Sequence, residues 1–552
     1  MAVELLSFRR TKDLKDEGGS GGMDPHIRVR PMSSRDHGDP FSMSGAEMRR
    51  LGHKVVDLLV DHYQQLPEQA VTTPAKEDYS GAVLGDGFGE RGLPADLVVE
   101  GVMHNVLRRA MPVNHPRFFA YIPGPGNFMG MLADTIAAGG NMFCGVAQQN
   151  AGPTQVENEV LDWLCELFDL PPEAAGCLVS GGSVANMSAL IVARDQMLGE
   201  RRDKAVLYCS DQTHGCVAKA ARLLGFREDQ LSIIPSDGQY RLRMDVLTAE
   251  VMADRARGRQ PFCVVATAGT TSTGAVDPLE QIADLCEEQD LWFHVDAAYG
   301  GAAMLTAGGR VQLRGIERAQ SLALDPHKGL FQPMECGCLL VRQREWLGQS
   351  FRIEGAYLLD NERADGAINY RDRGVQLTRN FKALKLWMSL KTYGVAVFRD
   401  AVQKGMDLAV YGASALSEIG NCQIMAPPVM GIVVFRLRAT GDKEDEAADN
   451  QLNQQLHDFL QEEGYAFLST TMLSGRKCLR LCPINPRTTT EDIQRTVERI
   501  GRFAAERARA PGQERPELIK IIQTDVDSRG GLGDAADRDA INAGAGNVPD
   551  GF

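Results

Sequence analysis

No run in this sequence approaches the ~18 consecutive apolar residues of a membrane-spanning helix, and the N-terminus, MAVELLSFRRTKDLKDEGG, has no continuous apolar signal core. Acidic residues come early in it (Glu4, Asp13, Asp16, Glu17), against a transit peptide. An excess of positive charge is missing too. With 59 Lys and Arg against 73 Asp and Glu, the formal net charge of −14 disfavours nucleic acid or an anionic membrane as a partner. The cysteines lack the paired spacing of a zinc site. Their closest groupings, Cys336-x-Cys338 and Cys478-x3-Cys482, fall in strand-like runs, so structural thiols, no metal centre and a reducing cytoplasm are expected.

What is present is an ordinary globular composition, 43% apolar and 24% charged over 552 residues, long enough for two or three domains. Residues 1 to 41 and 516 to 552 read as disordered tails, rich in Gly, Ser, Asp and Arg without periodicity. Ser44 and Glu47 resemble a capping box opening a helical arm over 42 to 115, in which Met48, Leu51, Val55, Leu58 and Leu59 recur at helical spacing. From 116 to 400 helical stretches (155 to 170, 183 to 198) alternate with short apolar runs, AVLYCS, FCVVAT, WFHVDAA and SLALD. That alternation predicts an α/β domain with a mostly parallel central sheet. Residues 401 to 515 read as a small α+β domain with strands at MGIVVFRL, YAFLS and CLRLC. The polar, Gly-containing stretch from 350 to 380 has the length of a functional lid.

In an open α/β sheet a ligand sits beyond the carboxyl ends of the strands, so the residues that follow each apolar run carry the chemistry. These are Ser180-Gly181-Gly182-Ser183, His214, Thr267 to Thr271, Asp296 with Ala298, and Asp325-Pro326-His327-Lys328. Each has an ordinary alternative: a helix N-cap, a buried histidine, a structural ion pair, a snorkelling lysine. One ligand reconciles them. Pyridoxal 5′-phosphate has a phosphate for Gly182 and Ser183, a ring nitrogen for Asp296, a flat face for His214 and an aldehyde for Lys328.

The ordered set HPRFFAY (115 to 121), SGGS, SDQTH, ATAGTT, HVDAAYGG and DPHK, spread over about 44 to 510, resembles the group II pyridoxal phosphate-dependent decarboxylases. Within that group it is most similar to aromatic-L-amino-acid decarboxylases acting on tryptophan, tyrosine or dopa. The resemblance implies the aspartate aminotransferase fold (fold type I), a homodimer with shared active sites, and Lys328 as the lysine that captures the cofactor. It further implies that Thr267 lies in the cofactor pocket, that Ala298 packs on the ring face opposite His214, and that His327 approaches the phosphate or the lysine's link to the cofactor. Asp325 stands where aromatic decarboxylases often have Asn, an awkward place for an acid unless it is turned away or hydrogen-bonded.

The same resemblance makes 350 to 380 a catalytic loop with Tyr370 as the proton donor, and it puts substrate contacts at Tyr121, Ile122, Pro123, Gly124, Phe143 and Gly145. Animal dopa decarboxylases have Thr at the place of Gly124, Phe at that of Gly145 and a smaller aliphatic at that of Phe143, from which a roomier, less polar pocket is expected. Decarboxylation of an aromatic L-amino acid to its amine is the expected reaction. The alternatives are an acidic substrate, held by Arg117 or a loop arginine, and an aldehyde synthase, which Tyr370 and His214 disfavour. A dinucleotide site at GPGNFMG fails on spacing and on its proline.

Overall fold

The computed structural model describes residues 39, 41–72, 87–199, 202–353, 368–439 and 445–508. Apart from Asp39 and Phe41, the two tails lie outside the described residues, as does 354–367 of the long polar stretch.

Seven strands form the large sheet: β1 (Ala175–Val179), β2 (Ala205–Ser210), β3 (Leu231–Ile234), β4 (Gln260–Thr267), β5 (Trp292–Asp296), β6 (Ser321–Leu324) and β7 (Gly337–Val341). Their order is β1-β7-β6-β5-β4-β2-β3. The stretch from β6 through β5, β4 and β2 to β3 is parallel, and β7 returns antiparallel between β6 and β1. Strands β2, β5, β6 and β7 are buried at every residue, which is why their sequences run apolar instead of alternating.

The first five helices of the described chain are α1 (Gly45–Gln65), α2 (Ala95–Asn105), α3 (Phe128–Gly139), α4 (Ala151–Leu167) and α5 (Gly182–Met197); helices Met244–Ala256 and Leu279–Glu288 also pack on the sheet. Helix α5 packs across β5, β6 and β7, and α4 packs on β1. At α1, Ser44 Oγ accepts from Glu47 N at 3.2 Å, one half of the anticipated capping box.

A second, antiparallel sheet has the order β10-β11-β9-β8, from β8 (Cys422–Ile424), β9 (Val433–Leu437), β10 (Ser469–Leu473) and β11 (Arg476–Leu481). The expected strand at YAFLS is corrected here. Only its last residue enters β10, because Phe467 instead bridges Phe118 in parallel, with Phe119 N donating to Phe467 O at 2.8 Å. Apolar character marked the segment as buried without saying which chain it would pair with. The helix Ala383–Ser417 runs past the anticipated boundary at 400, broken only at Gly394 (φ 76, ψ 155), and packs on both α3 and β9.

The HPRFFAY segment is therefore stitched to the second sheet. Past it, Tyr121 O accepts from Arg480 Nη2 at 3.0 Å, and the chain then crosses the large sheet's carboxyl ends at Gly124.

Candidate active site

Five strand ends open on one cavity of about 340 Å³. After β1 come Ser180 to Ser183, after β2 His214, at the end of β4 Thr267, around the end of β5 Asp296 and Ala298, and after β6 Asp325, His327 and Lys328. The structure thus gathers Gly182, Ser183, His214, Thr267, Asp296, Ala298, Asp325, His327 and Lys328 around a single space.

Helix α5 starts on this cavity with Gly181 in extended backbone (φ 175) and no capping side chain, so its first N–H groups and the positive end of its dipole point at whatever enters. His327 Nδ1 accepts from Cys336 N at 3.1 Å, which leaves Nε2 as the N–H of the neutral ring. Burial pushes the His327 pKa down, favouring that neutral form. His214 Nδ1 likewise accepts from Cys216 N at 3.2 Å, while the ring itself stays exposed to the cavity.

Asp325 is turned toward its own helix. Its Oδ2 lies 2.9 Å from Lys328 Nζ, which accounts for an acid at this place: its charge is spent on the lysine. Asp296 is buried, with Oδ1 accepting from Ala298 N at 3.1 Å and Oδ2 from Asn186 Nδ2 at 3.0 Å. Burial raises its pKa while the Lys328 ammonium works in the opposite direction. Thr267 is fixed by its backbone, Thr267 N donating to Asp277 Oδ2 at 2.8 Å, and burial raises the Asp277 pKa to about 6.

Among the described residues, two buried polar atoms of the cavity wall, Thr267 Oγ1 and Asp325 Oδ1, have no partner. Buried polar groups are paired in native proteins, so these two await a ligand with polar atoms of its own. A bare helix N-terminus and an ammonium, both donors, with a buried carboxylate as acceptor, fit a phosphate, an aldehyde and a protonated ring nitrogen together.

The other expected site residues lie elsewhere. Tyr370 is 1% exposed, and its hydroxyl donates to Asn158 Oδ1 of α4 at 2.6 Å. Its ring lies under Arg373 and Arg379, and it is absent from the cavity wall. Contacts between segments distant in the chain hold it there: Arg371 N donates to Gly145 O at 3.1 Å and Ala147 N to Asn369 Oδ1 at 3.1 Å. Phe143 and Gly145 belong to that same patch, apart from the Lys328 cavity of their own chain.

Within one chain, the two glycines expected to widen the pocket both lie against close neighbours. A Cβ on Gly124 would overlap the His327 carbonyl oxygen, so this glycine permits a close backbone crossing and opens no volume. A Cβ on Gly145 would overlap the Phe143 ring, which already fills that space. Tyr121 is half exposed at φ 54, Ile122 packs against the core and Pro123 is buried. Arg117, considered for an acidic substrate, lies over the Tyr465 ring, and Nε donates to Tyr465 O at 2.9 Å.

Sequence reasoning missed Asn186, His294 and Ser321, buried behind Asp296. The available signal was polar residues inside apolar runs: Asn186 in SVANMSALIVA, His294 in WFHVDAA and Ser321 in SLALD.

Comparison with known proteins agrees with this geometry. Residues 82–438 match the family model described as the pyridoxal-dependent decarboxylase conserved domain. An aromatic-L-amino-acid decarboxylase of Bacillus atrophaeus is 40% identical over 84% of this chain and 97% of its own length. An L-2,4-diaminobutyrate decarboxylase of Rhizobium meliloti is 33% identical over 87% and 97%. Among solved structures, Oryza sativa TDC with PLP and tryptamine superposes with a TM-score of 0.80 at 28% identity, covering 85% of this chain and all of that one. The chain belongs to the pyridoxal-dependent decarboxylase family, with the fold type I architecture, and is a pyridoxal phosphate-dependent amino-acid decarboxylase.

Proposed function

We propose that the substrate is an aromatic L-amino acid, converted to its amine and CO2. The observation that carries this reading is the Phe143 ring seated over Gly145, which supplies an aromatic wall where the family's substrate contacts lie. Two further features support it. Among the described residues, no arginine lines the cavity and Arg117 is committed to Tyr465, so an acidic side chain would find no cation besides the cofactor lysine. Glu335 on the cavity wall would repel such a side chain.

Bound in the cavity, pyridoxal phosphate supplies the electron sink for the pair left when CO2 departs. Lys328 would hold the aldehyde carbon through its amine, once the ammonium that Asp325 keeps in place beforehand has given up a proton and the aldehyde oxygen has left as water. The α5 N-terminus, Ser183 and the His327 Nε2–H bind the phosphate. Asp296 holds the proton on the ring nitrogen, and His214 and Ala298 cover the two ring faces. Thr267 Oγ1 and Asp325 Oδ1 gain partners from the ligand.

The site is further read as shared between two copies. Helices α1 and α2 are joined by Arg50 to Asp96 (2.7 Å) and Lys54 to Glu100 (2.6 Å), yet leave Met48, Val56, Leu97, Val98 and Val102 exposed. An apolar face of that kind suits a homodimer, and a partner's Phe143 patch could then meet this chain's Lys328 cavity.

A second reading, a basic amino acid of the diaminobutyrate kind, is favoured by Glu335 and by the 33% identical relative. Mass-spectrometric product analysis with pyridoxal phosphate and equimolar tryptophan, phenylalanine, tyrosine, dopa, glutamate and diaminobutyrate separates these readings. Aromatic amines are expected; a diamine as the main product, or aldehydes in air, would overturn the aromatic decarboxylase reading. Light scattering across a concentration series is expected to give the mass of two chains.

A further inference from the structure

Asp296 is the last member of a buried polar chain. Strand periodicity puts Trp292, His294 and Asp296 on one face of β5, and the β5–β6 register sets Ser321 beside His294. Helix α5 crosses that face and drops the Asn186 amide between His294 and Asp296. The contacts run Trp292 Nε1 to Ser321 Oγ (2.9 Å), Ser321 Oγ to His294 Nδ1 (2.8 Å), His294 Nε2 to Asn186 Oδ1 (2.7 Å) and Asn186 Nδ2 to Asp296 Oδ2 (3.0 Å). All five residues are buried.

The ends of the chain fix its direction. An indole N–H can only donate and a carboxylate can only accept. Every group is satisfied only if Ser321 donates to Nδ1, His294 carries its proton on Nε2, and Asn186 turns its NH2 to Asp296. Burial keeps His294 neutral, with its pKa pushed down to about 4.

We propose that the Trp292–Ser321–His294–Asn186 chain is a positioning device for Asp296, in which the Ser321 hydroxyl, by selecting the His294 tautomer, decides which end of the Asn186 amide faces the carboxylate. This rests on the reading of Asp296 as the partner of the cofactor's ring nitrogen. The alternative state is built into the same residues. The Ser321 carbonyl also lies 3.1 Å from His294 Nδ1, and a carbonyl can only accept. Without the hydroxyl, the proton moves to Nδ1, Nε2 becomes an acceptor, and Asn186 must reverse to serve it. Its Oδ1 then meets Asp296 Oδ2, an arrangement of two acceptors that demands a proton on Asp296. A protonated Asp296 no longer holds the ring nitrogen's proton. Among the described residues, Lys328, Asp325, His214 and the Cys216 thiol, which accepts from Asn186 Nδ2 at 3.4 Å, are other charged or titratable groups that act on Asp296, and the substitution leaves them in place.

The test loads the full-length apoprotein with pyridoxal phosphate carrying 15N in the ring, and reads the nitrogen resonance and the cofactor dissociation constant. Asp296→Ala is expected to move the resonance to the unprotonated position. Ser321→Ala is expected to move it the same way and to weaken cofactor binding roughly tenfold. Ser321→Ala combined with His294→Gln, whose amide N–H is fixed without a tautomer, is expected to regain the wild-type position. Trp292→Phe, which leaves Ser321 free to donate to His294, is expected to keep it. If Ser321→Ala does not fold, as a melt of the apoprotein would show, Asn186→Leu takes its place. A wild-type resonance in Ser321→Ala or Asn186→Leu while Asp296→Ala shifts would overturn the chain and leave the Asp296 reading intact. No shift in Asp296→Ala would overturn both.

Discussion

The cofactor cradle and the patch around Phe143, Gly145 and Tyr370 are built on different terms. In the cradle several groups sit at strand ends and take a hydrogen bond from within ten residues: His327 from Cys336 N, Asp296 from Ala298 N, and Thr267 N to the Asp277 carboxylate. In the patch, position depends on partners far away in the chain, such as Tyr370 with Asn158, 212 residues apart. Local anchoring makes function readable from a motif; distant anchoring hides it.

The sharpest way to break that comparison is Lys328→Ala. The cradle predicts loss of decarboxylation by about 10³-fold or more, together with loss of the borohydride-reducible link to pyridoxal phosphate. A variant that kept the link would place the covalent lysine elsewhere and undo the assignment of the cradle.

Next in size is a pair of glycine substitutions, one in each region. Gly124→Ala would force a Cβ into the His327 carbonyl, which cannot yield without moving Lys328. A loss of about 2–4 kcal/mol in stability and weakened cofactor binding are expected. Gly145→Ala meets only the far end of the Phe143 ring, which can rotate. It is expected to cost about 1 kcal/mol, to alter the ranking of aromatic substrates and to leave the cofactor dissociation constant unchanged. Equal effects on cofactor binding would mean that the two regions are not separable.

These two glycines also show where sequence reading stopped. The parallel strands and the polar residues at their ends were legible, because apolar runs ending in Gly, His, Asp and Lys carry their chemistry in residue type and order; the fold type and the roles of Thr267, Ala298, Asp325 and His327 came only with the family resemblance. A glycine states only that a side chain is absent; whether the volume is open, filled by Phe143 or crossed by backbone depends on tertiary packing. The chain behind Asp296 was half legible for a related reason, since polar residues in apolar strands announce a network without naming their partners.

An acid titration probes the back of the cradle. The folded state holds His294 neutral down to about pH 4, whereas the unfolded chain protonates it near 6.5. Its stabilisation is therefore complete above pH 6.5 and is lost as the pH falls toward 4, because the unfolded state takes up the proton that the folded state refuses. The stability advantage of wild type over His294→Phe is expected to shrink by up to about 2 kcal/mol between pH 6.5 and 5, as read by urea unfolding of the apoprotein. An advantage independent of pH would mean that water or a counter-charge reaches His294 in the folded state.

Tyr370→Phe carries the smallest expected effect and tests the patch most directly. The substitution removes one hydroxyl and with it the bond to Asn158, which costs about 1 kcal/mol, or a few degrees in melting temperature. Burial raises the tyrosine's pKa, so the hydroxyl is a weaker acid than a free phenol and ill suited to giving up a proton. The product is therefore expected to remain the amine, with turnover nearly unchanged. The same assay on Tyr357→Phe, the other tyrosine between 350 and 380, supplies the control, because that position lies outside the described residues. A switch from amine to aldehyde in Tyr370→Phe alone would show that the Asn158 bond breaks during turnover and that the patch rearranges to reach the chemistry. Unchanged products there, with a switch in Tyr357→Phe, would leave Tyr370 as a packing residue whose hydroxyl serves α4.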